Sequence, residues 1–241
     1  MDKIAFKQHV AHPPYSLPVV AEVAARFGWG ESADAEERGR VCDEVEARLG
    51  YPCFVKPANL GSSVGVSRCP DRDALDTALR EAASFDPRVV VEQGVDAREI
   101  ELAVLGDGGP STRVSPAGEI ILPPGRWYDY ETKYEKDDAG LQIPAEIDAS
   151  LQARLQELAL RAFRATGAHG LARVDFFVER GADEPRVWLN ELNTLPGFTS
   201  ISMYPKLMEA AGVPYRELIT RLAELALARH TARTSLRSAR R

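Results

Sequence analysis

A predicted β-hairpin centred near residue 183 constrains the fold of this chain more than any other feature. Alternating polar and apolar residues predict two strands, Ala172 to Glu179 and Arg186 to Leu192, and turn-forming residues from Gly181 to Pro185 lie between them. Because strand side chains alternate between two faces, Arg173 and Asp175 share one face of the first strand. The sequence therefore predicts antiparallel pairing with charged residues grouped on one face.

The second strand of this hairpin places Glu191 and Asn193 on one face in the same way. A turn near residue 183 brings Asp175 opposite Glu191. Two carboxylates and an amide oxygen are hard ligands of the kind that Mg²⁺ prefers. The alternative is a strand-end acid held by Arg173, and the geometry alone leaves both interpretations open.

A glycine- and serine-rich loop, Gly61-Ser62-Ser63-Val64-Gly65, follows the predicted strand Cys53 to Pro57. Its backbone and hydroxyl groups offer several donors to an anion, although an ordinary tight connection is the alternative. The sequence contains no Gly-Lys-Ser/Thr and no Gly-x-Gly-x-x-Gly, which disfavours P-loop and Rossmann nucleotide sites. Lys56 is charged on an apolar strand, so it either extends to solvent or needs an anionic partner.

Composition limits the class of protein. A length of 241 residues allows one or two domains with a sizeable core. With 44% hydrophobic and 27% charged residues, the chain is neither collagen-like nor wholly disordered. The net charge of −6 offers no general electrostatic reason to bind nucleic acid. We expect the arginine-rich end, residues 228–241, to be a solvated helix end, with a nucleic-acid or membrane patch as the alternative.

Cysteine usage indicates a reducing compartment. Cys42, Cys53 and Cys69 contain no Cys-x-x-Cys pair, so neither a disulfide framework nor a zinc site is predicted. No apolar run approaches the roughly 18 residues of a membrane span, and the start of the chain lacks a signal-peptide pattern. We therefore expect a cytoplasmic protein that binds neither membrane nor nucleic acid.

Periodicity and turn residues predict the remaining elements. The predicted helices are residues 1–10, 33–49, 72–84 with Asp71 as cap, 150–166 and 214–230; the further strands are 17–23, a short one through Val66, 89–91, 99–105 and 113–122. The polar stretch 126–139 is predicted to be a functional loop.

Several short strings resemble the D-alanine:D-alanine ligases of the ATP-grasp superfamily, in the same order over nearly the whole chain. They are Met1-Asp2-Lys3, Phe54-Val55-Lys56-Pro57 with the glycine-serine loop, Val91-Glu92-Gln93, Arg98-Glu99-Ile100-Glu101, YDYETKY from Tyr128 to Tyr134, Arg173-Val174-Asp175, and NELNTLPGFTSISMYP from Asn190 to Pro205. Each string is weak alone, but their joint occurrence in order is specific.

This resemblance implies an α+β, ATP-grasp fold in which two α+β subdomains grip ATP between them. Residues 1–92 would be the central ATP-binding subdomain, 93–230 the C-terminal subdomain with the metal, catalytic and second-substrate sites, and 231–241 a basic tail. The implied activity joins two D-alanines through an acyl phosphate for peptidoglycan precursors. It uses ATP and two Mg²⁺ ions, with Mn²⁺ as a substitute, and requires no protein nucleophile. The resemblance also allows a homodimer.

The resemblance also implies a role for each matching residue. ATP is bound by Lys3, Lys56, Ser62, Ser63, Val64, Glu92, Gln93, Val95, Glu99 and Lys133. The metal ligands are Asp175, Glu191 and Asn193. Arg173 and the Gly197 backbone stabilise the oxyanion, and Ser62 closes over the γ-phosphate. Ser202, Met203 and Tyr128 contact the second substrate, and Tyr134 beside it favours an amine acceptor over D-lactate.

One departure bears on activity. Members of this family carry an N-terminal domain ahead of the Met1-Asp2-Lys3 string, which binds the ammonium of the first D-alanine. We expect this chain to lack that domain and to need it from a separate source. The alternatives are a non-catalytic remnant that binds ATP and Mg²⁺, or another ATP-grasp carboxylate-amine ligase.

Overall fold

A computed structural model describes residues 1–28, 34–61, 63–121, 140–199 and 201–236. They form two compact units: Met1–Arg98 with Val178–Trp188, and Glu99–Ile120 with Leu141–Phe177 and the residues from Leu189 onwards. The predicted subdomain boundaries, after residues 92 and 230, stay a prediction. The expectations for Ser62, Tyr128, Lys133, Tyr134 and the functional loop 126–139 lie outside the described residues.

Both units contain helices and strands. In chain order they are α1 (Lys3–Ala11), β1 (Glu22–Arg26), α2 (Ala35–Arg48), β2 (Cys53–Pro57), β3 (Ser67–Cys69), α3 (Arg72–Phe85), β4 (Arg88–Gln93), β5 (Ala97–Gly106), β6 (Arg113–Val114), β7 (Gly118–Ile121), β8 (Gly140–Gln142), α4 (Ala149–Ala165), β9 (Gly170–Glu179), β10 (Val187–Asn193), α5 (Met203–Ala210) and α6 (Tyr215–Thr234). Within the described ranges, no helix is long and apolar enough to cross a membrane.

Two expected strands were misplaced, and one helix was missed. The strand expected through Val66 begins at Ser67 instead. The strand predicted at residues 17–23 lies at Glu22–Arg26, where its residues pair with β4 from Glu22↔Glu92 to Arg26↔Arg88. Pro18 lacks the N–H that a strand ladder needs, so pairing begins only after it. Helix α5, which contains Pro205, was not among the predicted elements. Pro205 stands in the first turn, where backbone N–H groups have no intrahelical acceptor.

The first unit contains a four-stranded antiparallel sheet in the order β1-β4-β2-β3. Alternation along its strands gives it two faces. One face joins the apolar core that also contains residues of α2 and α3, including Val55, Val89, Val91, Leu75 and Leu79. On the opposite face, Val90 packs with Ile4 of α1 and with Ala58. Lys56 and Glu92 share this second face, because they alternate with Val55 and Val91.

The second unit contains a sheet in the order β10-β9-β5-β7-β8, with β6 paired to β5. The predicted β9–β10 hairpin and the predicted pairing of β5 with its successor are both present. Helix α4 fixes the connection between β6 and β7 through two glutamines. Gln152 accepts from the Ala117 N–H at 3.0 Å, and Gln156 donates to the Ser115 carbonyl at 3.1 Å.

Replacing Tyr204 with Phe is expected to destabilise this unit by about 1 kcal/mol. The Tyr204 side chain is fully buried and its hydroxyl donates to the Val104 carbonyl at 3.0 Å, so the substitution removes a buried hydrogen bond. Tyr215→Phe is the matched control, because it removes a similar bond to the Phe198 carbonyl from an exposed ring. Urea unfolding that finds equal losses for the two variants would contradict the assignment.

Candidate functional site

A buried charge cluster occupies the α1 face of the first sheet. The Lys56 ammonium donates to Glu92 Oε2 at 2.6 Å, and the buried Lys7 ammonium of α1 donates to Glu92 Oε1. Glu22 lies directly opposite Glu92 on β1, and its Oε2 is 3.9 Å from the Lys7 Nζ. We call Lys7, Glu22, Lys56 and Glu92 the Lys7 cluster. It supplies the anionic partner that Lys56 needs.

The two carboxylates of the cluster have opposite pKa shifts. Burial alone raises the pKa of Glu92, but the charges of Lys56 and Lys7 outweigh it and lower that pKa to about 2. For Glu22, burial dominates and the neighbouring Glu92 adds to it, so its pKa rises to about 6 although Lys7 and Arg48 act against the rise. Glu92 is therefore a firmly ionised anion, whereas Glu22 titrates near neutrality.

Glu22→Gln is expected to raise the melting temperature at pH 7.5 and to leave it unchanged at pH 4. Because the pKa of Glu22 is higher in the folded than in the unfolded chain, Glu22 stabilises the fold fully below pH 4.5, its ordinary pKa. This stabilisation is lost as the pH rises through about 6, the folded-state pKa. The neutral amide avoids this loss. Thermal unfolding at both pH values tests it, with the exposed Glu81→Gln on α3 as control. A gain of the same size at pH 4 would contradict it.

Lys3 secures the chain that leaves β2. Its backbone N–H donates to the Ala58 carbonyl at 3.0 Å, and its ammonium donates to the carbonyls of Pro57, at 3.2 Å, and Leu60. Its predicted contact with phosphate stays a prediction. Lys3 thus lies at the start of the segment that leads into the glycine-serine loop.

The described part of the glycine-serine loop is a succession of tight turns. The Val64 N–H donates to the Gly61 carbonyl at 3.1 Å, and Ser63 adopts a positive φ of 57°. Gly65 has a φ of +70°, and a Cβ there would lie 2.8 Å from Pro57 Cγ. Glycine is therefore required where the loop returns toward β3.

Asp86, which follows α3, anchors the chain just before this loop. Its Oδ2 accepts from the Asn59 backbone N–H at 2.9 Å and from Asn59 Nδ2 at 2.7 Å, and its Oδ1 accepts from the Arg88 N–H at 2.9 Å. The Asp86 side chain is buried. The residues between β2 and the loop are therefore held by a carboxylate that is distant in sequence.

Asp86→Ala is expected to lower the free energy of unfolding by about 2–3 kcal/mol, because it removes a buried carboxylate that accepts three hydrogen bonds. Limited proteolysis should then cut the segment from Asn59 to Gly65 faster than in the wild-type chain. The control is Asp73→Ala, at an exposed position of α3. Unchanged cleavage of this segment in the Asp86 variant would contradict an anchoring role.

The predicted adenine and ribose residues lie at the end of β4, just after it, and on β5. The Gln93 N–H donates to the Ala21 carbonyl at 3.0 Å, and its Nε2 donates to the Leu49 carbonyl at 3.3 Å. Val95 is half-buried beyond it. Glu99 is half-buried on β5, opposite Ile120 of β7. Their roles toward a nucleotide stay predictions.

The β9–β10 hairpin brings the predicted metal ligands together. Asn193 Nδ2 donates to Asp175 Oδ2 at 3.0 Å and to Glu191 Oε1 at 3.1 Å. Arg173 forms a bidentate pair with Asp175, with Nε to Oδ1 at 2.8 Å and Nη2 to Oδ2 at 2.7 Å. Its Nε also lies 3.0 Å from Oε2 of the buried Glu101.

The chemistry of this group fits a divalent cation. Within the described ranges, no three His, Cys, Asp or Glu side chains form a metal-binding group. The predicted set has two carboxylates, so it depends on Asn193 for a third oxygen. A half-turn of the Asn193 amide exchanges its nitrogen for Oδ1 between Asp175 and Glu191, which gives three hard oxygen donors.

Gly197, predicted to help stabilise the oxyanion, and the predicted second-substrate residues Ser202 and Met203 lie around the start of α5. A Cβ on Gly197 would lie 3.0 Å from Ser202 Oγ, which itself accepts from the Thr199 N–H at 3.1 Å. Met203 is buried. The structure thus brings Gly197 and Ser202 together, while their roles toward a substrate stay predictions.

The sequence analysis missed four residues that hold these sites together. They are Lys7 and Glu22 of the Lys7 cluster, Asp86 before the glycine-serine loop, and Glu101 beside Arg173. Lys7 carried a signal, because it stands between Ile4 and Val10 on the buried face of α1. Glu101 also carried one, as a charge in the apolar part of a buried strand. Glu22 and Asp86 carried none, since each acts on residues that are far away in sequence.

Comparison with known proteins places this arrangement in a family. A family model described as D-ala D-ala ligase C-terminus matches residues 23–224. The D-alanine--D-alanine ligase of Heliobacterium modesticaldum is 50% identical over 231 residues, which are 95% of this chain and 60% of that protein. A ligase of the same name from Prochlorococcus marinus strain MIT 9303 is 50% identical over 222 residues, covering 92% and 60%. The chain thus spans about 60% of the length of these relatives.

Solved structures agree with this result. The VanG D-Ala:D-Ser ligase from Enterococcus faecalis is 32% identical with a TM-score of 0.79, over 93% of this chain and 61% of that one. The D-alanine-D-alanine ligase from Coxiella burnetii is 32% identical with a TM-score of 0.77, over 97% and 58%. Both relatives fit the mixed helices and antiparallel sheets described above. The chain therefore belongs to the D-Ala–D-Ala ligase family, with an α+β, ATP-grasp fold, and matches the part described as the ligase C-terminus.

Proposed function

We propose that the protein is a cytoplasmic ATP-dependent ligase that joins two D-alanines into D-alanyl-D-alanine for peptidoglycan precursors. The observation that carries this proposal is the group of Arg173, Asp175, Glu191 and Asn193, assembled by hydrogen bonds and ion pairs on one hairpin. The family supports ATP as the phosphoryl donor and a divalent metal as cofactor. The names of the curated relatives support D-alanine as substrate.

In this proposal the first unit binds the nucleotide. Lys56 and Lys3 offer ammonium groups to phosphate oxygens, and the glycine-serine loop offers its donors to the γ-phosphate. Glu92 and the backbone from Gln93 to Val95 contact the adenine, and Glu99 keeps its predicted role toward the ribose. The partial exposure of the Lys56 side chain, 14%, supports this role, because a ligand from solution can approach it.

Asp175, Glu191 and Asn193 are proposed to hold two Mg²⁺ ions. When bound, the ions neutralise charge on phosphate oxygens during phosphoryl transfer. Arg173 keeps Asp175 oriented by its bidentate pair and carries a permanent positive charge toward this face. Burial alone lowers the pKa of Arg173, but Asp175 and Glu101 outweigh it and raise that pKa, so the guanidinium stays charged.

The proposed reaction has two steps, with D-alanyl phosphate as the intermediate. A carboxylate oxygen of the first D-alanine attacks the γ-phosphorus and ADP leaves, which yields D-alanyl phosphate. The neutral amine of the second D-alanine then attacks the carbonyl carbon, phosphate leaves with the former carboxylate oxygen, and the nitrogen loses one proton to the solvent. Arg173 and the Gly197 N–H stabilise the oxyanion of the second step, and Ser202 with Met203 seats the carboxylate of the acceptor. Ser62, Tyr128, Lys133 and Tyr134 keep their predicted roles in this proposal.

The test is dipeptide formation by the purified chain with MgATP and D-alanine, measured by mass spectrometry beside phosphate release. D-Serine and D-lactate are parallel acceptors, because one structural relative is a D-Ala:D-Ser ligase. We expect D-alanine to be preferred. Since the chain spans about 60% of its relatives, each assay is repeated with the unmatched part of a relative added as a separate chain.

Phosphate release that depends on D-alanine, with one dipeptide per phosphate, supports the proposal. A folded chain that binds MgATP but makes no dipeptide under either condition contradicts it and favours a nucleotide-binding remnant. Product with a different acid or amine, and none with D-alanine, favours another carboxylate-amine ligase.

A further inference from the structure

The Lys7 cluster contains two lysines that differ in their access to solvent. The Lys7 side chain is 1% exposed, whereas the Lys56 side chain is 14% exposed. Each lysine binds a different oxygen of Glu92. Lys56 therefore can reach a ligand in solution by a rotation of its flexible side chain, and Lys7 cannot.

Removing Lys56 from Glu92 has an electrostatic cost that depends on what remains. A buried carboxylate without a cation is strongly unfavourable and takes up a proton instead. Lys7 stays in contact with Glu92 Oε1 when Lys56 moves, so the carboxylate keeps one cation. Because each lysine binds a different oxygen of Glu92, Lys56 can leave Glu92 without removing the last cation from it.

We propose that Lys7 is a positioning residue for nucleotide binding. It holds Glu92 in place and balances its charge while the Lys56 ammonium moves from Glu92 to a phosphate oxygen. This inference rests on the proposed function, in which Lys56 binds ATP phosphates. Lys7 itself touches no substrate. No covalent bond changes in this step, since one ion pair replaces another.

Other charges around the cluster must be separated from this effect. Glu22 on β1 faces both Lys7 and Glu92, and Arg48 of α2 donates to the Glu22 carbonyl at 3.1 Å. Loss of Lys7 therefore also changes the titration of Glu22. Glu22→Gln removes that group, so the test compares the Glu22→Gln chain with the Glu22→Gln/Lys7→Met chain.

The experiment is calorimetric titration with MgATP at pH 7.5 in two buffers of different ionisation enthalpy. We expect Lys7→Met to raise the Kd for MgATP at least tenfold in both backgrounds, and Lys7→Arg to restore it to within about threefold, because arginine keeps the charge. When MgATP binds, the double variant should take up more protons than the Glu22→Gln chain, by up to one proton. Subtracting the proton uptake of one chain from that of the other removes the contribution of protons that ATP itself gains or loses on binding. Arg80→Met, on the exposed face of α3, controls for loss of positive charge.

Three results would overturn this role: a folded Lys7→Met chain that binds MgATP as tightly as wild type, equal weakening by Lys7→Met and Lys7→Arg, or no difference in proton uptake. A wild-type chain that does not bind MgATP overturns the proposed function together with this inference. Wild-type binding that Lys7→Met leaves unchanged removes only the inference.

A second measurement needs no variant to fold. In wild-type protein with ¹³C-labelled glutamate carboxyls, the Glu92 resonance should remain that of an ionised carboxylate from pH 8 to pH 5, with and without MgATP. Protonation of Glu92 upon addition of MgATP would show that Lys7 does not neutralise it, and would overturn the inference.

Discussion

Replacing Arg173 with Met is expected to lower the free energy of unfolding by about 3–5 kcal/mol. The guanidinium lies between two buried carboxylates, with bonds of 2.8 and 2.7 Å to Asp175 and a contact of 3.0 Å to Glu101. Methionine fills much of the same volume but leaves both carboxylates without their cation. Urea unfolding followed by circular dichroism measures the loss.

Arg186→Met is the matched control for this substitution. Arg186 also forms an ion pair with a carboxylate of the same hairpin, with Nη2 to Glu179 Oε1 at 2.6 Å, but its side chain is 72% exposed. Solvent screens such a pair, so the unfolding midpoint of Arg186→Met should move much less than that of Arg173→Met. Equal midpoints for wild type and Arg173→Met would show that the buried pair does not organise the hairpin.

Asp175→Asn is expected to lower ATP-dependent dipeptide formation about a thousandfold, equivalent to roughly 4 kcal/mol of transition-state stabilisation. The amide keeps the shape of the side chain but removes the negative charge that is proposed to bind Mg²⁺. It also removes the bidentate acceptor of Arg173, which then retains Glu101. Mn²⁺ binding in the presence of ATP, followed by electron paramagnetic resonance, should weaken at least tenfold.

Asp183→Asn serves as its control, because this residue is exposed at the turn of the same hairpin and carries the same change in charge. It should retain wild-type activity and Mn²⁺ affinity. An Asp175→Asn variant that folds and keeps more than a tenth of the activity would contradict the metal assignment.

The hairpin was predictable from the sequence because its signals are local. Period-two alternation and a turn rich in glycine and proline lie within 25 residues of each other, and together they determine which side chains share a face. These signals predict that Asp175 lies opposite Glu191; in the structure, Asp175 Oδ2 accepts from Nδ2 of Asn193, which shares a face with Glu191. The bond between Asn193 and Glu191 follows from their spacing along one strand.

The Lys7 cluster was only partly predictable, because its contacts depend on the order of strands in the sheet. The sequence indicates that Lys56 needs an anion, but Glu92 becomes its partner only when β2 pairs with β4. Glu22 joins the cluster through the pairing of β1 with β4, which loop closure over many residues determines. Local periodicity carries no information on such pairings.

Pro18 and Pro205 show how a single residue misleads in both directions. Pro18 lies inside a run that otherwise resembles a strand, and pairing starts only at Glu22. Pro205 resembles a helix breaker, yet α5 contains it in the first turn. In each case the outcome depends on which backbone N–H group needs a partner.

The measurement that tests the central claim most directly is transfer of oxygen from D-alanine to phosphate. The chain is supplied with MgATP and D-alanine that carries ¹⁸O in its carboxylate, with and without the unmatched part of a relative, and the released phosphate is analysed by mass spectrometry. Activation through D-alanyl phosphate predicts one ¹⁸O atom in each phosphate released and one dipeptide for each phosphate. Phosphate that forms without ¹⁸O, or at a rate that does not depend on D-alanine, would contradict the account.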